Sequence, residues 1–88
     1  MAPVTLYADF NNADPEGRVR LNVAGTLRDL ARQGVQLREG LAVTVHDEEL
    51  AADGEAVFSA AEGVWAARID WSQVRPWLAE LASAGHAE

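Results

Sequence analysis

The sequence predicts a small, mainly β fold, and three observations carry that expectation. The chain has 88 residues, the length of one domain. Between Glu39 and Trp71 three short stretches of β character are separated by turn signals. Helical periodicity is confined to one brief segment near residue 30 and one near the C-terminus.

The first strand is expected over residues 4–10, where Val4, Leu6, Ala8 and Phe10 alternate with Thr5, Tyr7 and Asp9. The cluster Asn11-Asn12-Ala13-Asp14-Pro15-Glu16-Gly17 is dense in turn formers: Pro and Gly set dihedrals, and Asn and Asp can bond their own backbone. A short second strand over 18–22 points Val19 and Leu21 one way and Arg18, Arg20 and Asn22 the other. The two strands are expected to pair as a hairpin with a long loop. Residues 26–33 then change period. Thr26 resembles an N-cap with Asp29 in the first turn, Leu27, Leu30 and Ala31 form an apolar stripe, and Gly34 stands where a helix ends in a left-handed residue. At no more than two turns, this helix must be held by packing.

Glu39-Gly40 opens a third strand in which Leu41, Val43 and Val45 alternate with Ala42, Thr44 and His46. Turns are expected at Asp47-Glu48-Glu49, at Asp53-Gly54 and at Glu62-Gly63, bounding strands over 55–59 and 64–71. On the last strand Trp65, Ala67, Ile69 and Trp71 share one face, so both tryptophans are expected in the core. Pro76 is placed to begin a final helix whose apolar side is Trp77, Leu78 and Leu81, and Gly85 ends it. The architecture expected is a five-stranded antiparallel barrel of the SH3-like sort over residues 1–74, with one short helical turn between strands two and three. The C-terminal helix and tail over 75–88 belong to the same domain. The alternative is a single sheet of α+β type covered by the C-terminal helix. Closure has a physical advantage in so small a domain, because it removes exposed strand edges.

Composition narrows the function. No run approaches the ~20 apolar residues that span a bilayer, and Met1-Ala2-Pro3-Val4 has neither a basic flank nor an apolar core. A secretory signal and a membrane association are therefore not expected, and the absence of cysteine fits a cytoplasmic protein without disulfides or thiolate metal sites. The net charge of −7 argues against indiscriminate affinity for nucleic acid. That charge is uneven. Residues 18–38 hold five arginines and one aspartate, a local +4, whereas residues 47–62 hold six acids and no base.

Chemistry-bearing patterns are sparse. His46 sits at a strand end beside Asp47, but adjacent strand residues point to opposite faces and would not pair, and His86 lies in the tail. Asp47, Glu48, Glu49 and Asp53 lack the spacing and internal glycine of a calcium loop, and no glycine-rich phosphate cradle joins a strand to a helix. No catalytic residue, metal or cofactor is assigned, and a non-enzymatic role is expected. Three surfaces are candidates for a partner. One is the outer face of the first hairpin, with Tyr7, Arg18 and Arg20. The second is the helical turn with Arg28 and Arg32, and the third is Trp77 with Leu78 and Leu81. A protein partner or a second copy of the chain is the leading expectation. Single-stranded nucleic acid on the Tyr7–Arg18–Arg20 face is the alternative.

Four segments, Asp14-Pro15-Glu16-Gly17-Arg18-Val19-Arg20-Leu21-Asn22, Gly25-Thr26-Leu27-Arg28-Asp29-Leu30, Glu39-Gly40-Leu41 and Trp65-Ala66-Ala67-Arg68-Ile69-Asp70-Trp71, together resemble an uncharacterised family of small bacterial proteins. The resemblance covers about residues 4–71 and contains no catalytic motif. It implies the barrel and no activity.

Overall fold

The computed structural model describes residues 3–77. In chain order the elements are β1 (Val4–Tyr7), β2 (Val19–Arg20), α1 (Ala24–Gln33), β3 (Ala42–His46), β4 (Leu50–Ser59), β5 (Val64–Ile69) and β6 (Arg75–Pro76). The strands form one open sheet in the order β1-β3-β4-β5-β2, with β6 also on β4. The expected barrel is not formed, because β1 and β2 end up at opposite ends of the sheet and do not pair. β1 runs parallel to β3 (Val4 opposite Val43, Tyr7 opposite His46), and β2 runs antiparallel to β5 (Val19 opposite Ala67). A parallel neighbour needs a crossover connection, and the segment carrying α1 supplies it. What remains of the expected hairpin is a bridge between Ala13 and Val19, across the turn at 14–17.

β4 organises the sheet. Its residues 51–55 pair with β3, 54–59 with β5, and 50–51 with β6. The turn expected at Asp53-Gly54 is instead continuous strand. Gly54 serves close approach: a Cβ there would sit 2.3 Å from the Arg68 carbonyl oxygen and 2.8 Å from the Ile69 side chain. Alternation along β4 and β5 puts Ala52, Ala56 and Ala67 on one face, with the core of Leu6, Ala8, Phe10, Val19, Leu21, Val43 and Val45. On the other face Glu55 meets Arg68, and Arg20 stands opposite Ala66.

Both sheet edges are covered, β1 by side chains of α1 and β2 by the backbone of the segment before it. α1 starts at Ala24, two residues before the expected N-cap; Val23 occupies the cap position without a side-chain bond, and Gly34 closes the helix in the left-handed conformation as expected. Thr26 is instead fully buried and donates its hydroxyl to the Tyr7 carbonyl at 2.5 Å. Asp29 accepts the Tyr7 N–H at 2.7 Å, and the Gln33 amide donates to the Thr5 carbonyl at 2.9 Å. The helix thus satisfies the outer edge of β1, which would otherwise present unpaired backbone groups. At the other end, residues 12–14 cover β2 through the Arg20 N–H to the Asn12 carbonyl and the Asp14 N–H to the Arg18 carbonyl.

Asp14 holds that second edge together. Its carboxylate accepts the Glu16 and Arg18 N–H groups at 2.9 Å and the Arg18 guanidinium at 2.7 Å. Burial alone would push this carboxyl up, but the Arg18 and Glu16 hydrogen bonds outweigh it and hold Asp14 below the usual aspartate range. Trp71 departs from expectation. It begins a 3-10 turn beyond β5, is 46% exposed, and donates its indole N–H to the Gly17 carbonyl at 2.7 Å while meeting Phe10 edge-on. It therefore clasps the Asp14 turn from outside, and only Trp65 packs on the core as expected.

Candidate functional site

The open side of the sheet leaves an apolar groove of about 480 Å³. One wall is α1 and the segment after it, with Leu27, Leu30, Val35 and Leu37; the other is Leu21, Val64 and Trp65. The wall follows from α1's commitment to β1. Thr26, Asp29 and Gln33 turn toward the strand, which swings Leu27 away from it on the helical repeat and leaves it 54% exposed. Leu30, Leu37 and Trp65 pack partly on the core and partly line the groove. Phe58 extends the apolar surface. It stands opposite Trp65 on β4, 5.3 Å between ring centroids and edge-on, and is 45% exposed. Large apolar side chains exposed side by side around a concavity are the usual mark of a binding surface.

A second hollow collects several residues singled out in the sequence. Tyr7, Gly25, Arg28, Asp29, Arg32, His46 and Glu48 line it, and the Tyr7 ring lies so close to Gly25 that a Cβ there would be 2.6 Å from it. His46 is sandwiched. Tyr7 meets it edge-on at 6.0 Å, and Trp77 stacks on it at 4.2 Å with planes 13° apart. The Trp77 N–H also donates to the Glu49 carbonyl. Trp77 therefore fastens the end of the described chain to the sheet and is half-buried. Pro76, expected to begin a helix, lies in β6, and Leu78 and Leu81 fall outside the described residues. Burial and the nearby Glu48, Asp9 and Asp47 carboxylates push the Tyr7 phenol up. Those acids also offset the two arginines, so this hollow has no decided sign of charge.

The arginine face expected on the first hairpin is not assembled. Tyr7 is on β1 and Arg20 on β2, at opposite ends of the sheet. Arg20 makes a two-pronged pair with Glu62, 2.7 Å at each prong, and Arg18 is bound to Asp14. Hydrogen bonds from Arg20 hold the Glu62 carboxyl below its usual range. Arg32 pairs with Asp29, Arg68 with Glu55 and Arg75 with Asp53. Among the described residues, Arg28 and Arg38 stand in no such pair. His46 and Asp47 make no side-chain pair either; the imidazole Nδ1 is 3.2 Å from the Asp47 carbonyl oxygen. No three His, Cys, Asp or Glu among the described residues are grouped to hold a metal ion.

In the sequence, Leu27 and Leu30 read as an apolar stripe and Trp65 as core, while Val64 fell on the face opposite the tryptophans. Leu27 and Leu30 have the spacing of a buried stripe, and nothing in that spacing distinguishes a helix whose polar face is the one that docks. The signal available was the triplet Thr26, Asp29 and Gln33 at helical spacing, three polar side chains able to reach one strand edge. No family model, curated protein or solved structure matches the chain.

Proposed function

We propose that the protein is a non-enzymatic interaction module that binds a protein partner through the groove between α1 and β5. The observation that supports it is Leu27, a large apolar residue more than half exposed on α1 beside Leu30, Leu37 and Trp65. A leucine kept at such a position gains little for folding, whereas it would bury fully against a partner, contributing about 1.5–3 kcal/mol. The groove's volume suits a few apolar side chains, as in recognition of an amphipathic segment. A protein partner is preferred to nucleic acid because Arg18 and Arg20, on which the nucleic-acid reading rested, are both bound to carboxylates.

The test is affinity capture from a nuclease-treated lysate with wild-type protein and Leu27→Ser, circular dichroism having verified both folds. A stoichiometric protein retained by wild type and lost from the variant supports the groove. Equal recovery with both proteins would place the interaction elsewhere.

A further inference from the structure

We infer that the hollow between α1 and the end of β3 is a binding site for a small linear zwitterion, such as an ω-amino acid or a dipeptide, with Arg28 taking its carboxylate and Glu48 its ammonium. This site is separate from the groove and does not depend on it.

Three neighbouring elements assemble the hollow. Tyr7 and His46 stand opposite one another in the β1–β3 register, so both side chains lie on one face of the sheet, away from Leu6 and Val45 in the core. On α1, positions 25, 28, 29 and 32 recur at helical spacing and form the face that borders the hollow. Gly25 is required there, because a Cβ would come within 2.6 Å of the Tyr7 ring. The ring is thus held between α1 and the edge-on His46 imidazole, on which Trp77 stacks. The space left is about 460 Å³, enough for a small organic molecule.

The charges around it do not all cancel in place. Asp29 and Arg32 pair with each other at 2.7 Å. Arg28 and Glu48 line the same hollow and are both exposed, yet neither forms an ion pair or side-chain hydrogen bond among the described residues. They come from opposite sides of β1. Arg28 belongs to the helix on its outer edge, and Glu48 to the turn that follows β3 on its inner edge. After burial, the Glu48 carboxylate is the next cause that pushes the Tyr7 phenol up, so it lies within electrostatic reach of that ring. His46 adds an acceptor on the same side as Glu48. Its Nδ1 is 3.2 Å from the Asp47 carbonyl oxygen, which can only accept; this assigns the ring proton of the neutral imidazole to Nδ1 and leaves Nε2 as an acceptor.

The strongest donor therefore comes from α1, and the acceptors from β3 and its turn. An anion alone would gain Arg28 but face Glu48, and a cation alone would meet the reverse. A molecule carrying both charges satisfies each wall and is oriented by them. Because the walls stand on either side of β1, its charges must lie apart along a chain, and not on one carbon as in glycine.

Amide NMR shifts of isotope-labelled protein, titrated at fixed ionic strength with γ-aminobutyrate, glycylglycine and glycine, test the assignment. Butyrate and butylamine supply one charged end each. γ-Aminobutyrate or glycylglycine should give saturable shifts centred on residues 25–32 and 46–49, with a dissociation constant on the order of 1 mM for so small a ligand. Glycine, butyrate and butylamine should bind roughly fivefold more weakly or worse, and Arg28→Gln and Glu48→Gln should each weaken the zwitterion by roughly three- to tenfold. Arg28→Gln should leave butylamine unaffected, and Glu48→Gln should leave butyrate no weaker. Butyrate or butylamine binding as tightly as γ-aminobutyrate would make this a site for a single ion and overturn the zwitterion. Glycine binding as tightly as the longer molecules would overturn the separated charges. Shifts indifferent to both substitutions, or no saturation by about 50 mM, would remove the hollow as a site.

Discussion

On the side of α1 that meets β1, Thr26 is fully buried and its hydroxyl is bonded to the Tyr7 carbonyl; one residue on, Leu27 is 54% exposed over the groove. Polarity is inverted relative to a helix laid on an apolar core. The inversion shows that α1 has two jobs. Its polar side satisfies backbone groups at a sheet edge, which carries little apolar surface, and its leucines are left partly for another surface. The closed side of the molecule, with the sealed β1 edge, the Asp14 turn and the Gly54 contact, should be sensitive to mutation. The open side should not. Four substitutions or conditions test that contrast, and their order matters as much as their sizes.

Gly54→Val should have the largest effect. Its Cβ would meet the Arg68 carbonyl at 2.3 Å, a backbone atom that cannot turn aside, so β4 and β5 must part where their pairing begins. The loss should be at least about 3 kcal/mol, read as failure to reach a folded baseline in urea titration. Full stability in this variant would mean that the long strand does not run through Gly54.

Thr26→Val comes next. It keeps the shape and removes the hydroxyl, leaving the Tyr7 carbonyl without its helix donor at a cost of about 1–3 kcal/mol. In a domain of this size that is a fall in melting temperature of roughly 10 °C, and Thr26→Ser, which keeps the donor, should recover much of it. Equal losses for Val and Ser would show that packing, and not the edge bond, holds α1 in place.

Acid should act on the other sealed edge. The Asp14 and Glu62 carboxyls are held below their ordinary values in the folded state. Groups depressed on folding contribute stability that is fully present above their unfolded values, near pH 4–5, and is lost as pH falls through the lowered folded values. Urea midpoints should therefore be level near neutrality and fall below about pH 4. Asp14→Asn, which cannot accept all three donors as a charged group, should lose about 1–2 kcal/mol at pH 7 and flatten the acid limb. An unchanged acid limb in that variant would assign the dependence to other carboxylates.

The β elements were legible because their period is local. Val43 and Val45, and Trp65, Ala67 and Ile69, occupy the faces that alternation assigns, and the turns at Gly40 and Gly63 fall where Glu39-Gly40 and Glu62-Gly63 put them. Pairing was not legible, because β1 and β2 are each compatible with several neighbours, and only the α1 crossover makes β3 the partner of β1. Gly54 reads alike as a turn or as a close contact, and the Arg68 carbonyl that decides between them is distant in sequence. Trp71 completes an alternating row in sequence, yet Asp70 ends β5 one residue earlier by accepting the Ser72 N–H and hydroxyl and starting a 3-10 turn. The arginine face failed for the same reason as the barrel, since both assumed the hairpin.

Leu27→Ser should have the smallest effect on folding, and it is the substitution on which the contrast depends. The side chain is already more than half in water, so shortening it removes only part of a leucine's burial, and serine costs little more in helix propensity. A change within about 0.5 kcal/mol is expected in urea, less than for any substitution on the closed side. If Leu27→Ser instead destabilises as much as Thr26→Val, the leucine is a core residue that the groove only partly uncovers. Its exposure would then be the cost of an open sheet, and not a surface held for a partner. A stable Leu27→Ser protein that has lost its ligand would separate the two roles of α1, because adjacent residues would then govern folding and binding independently.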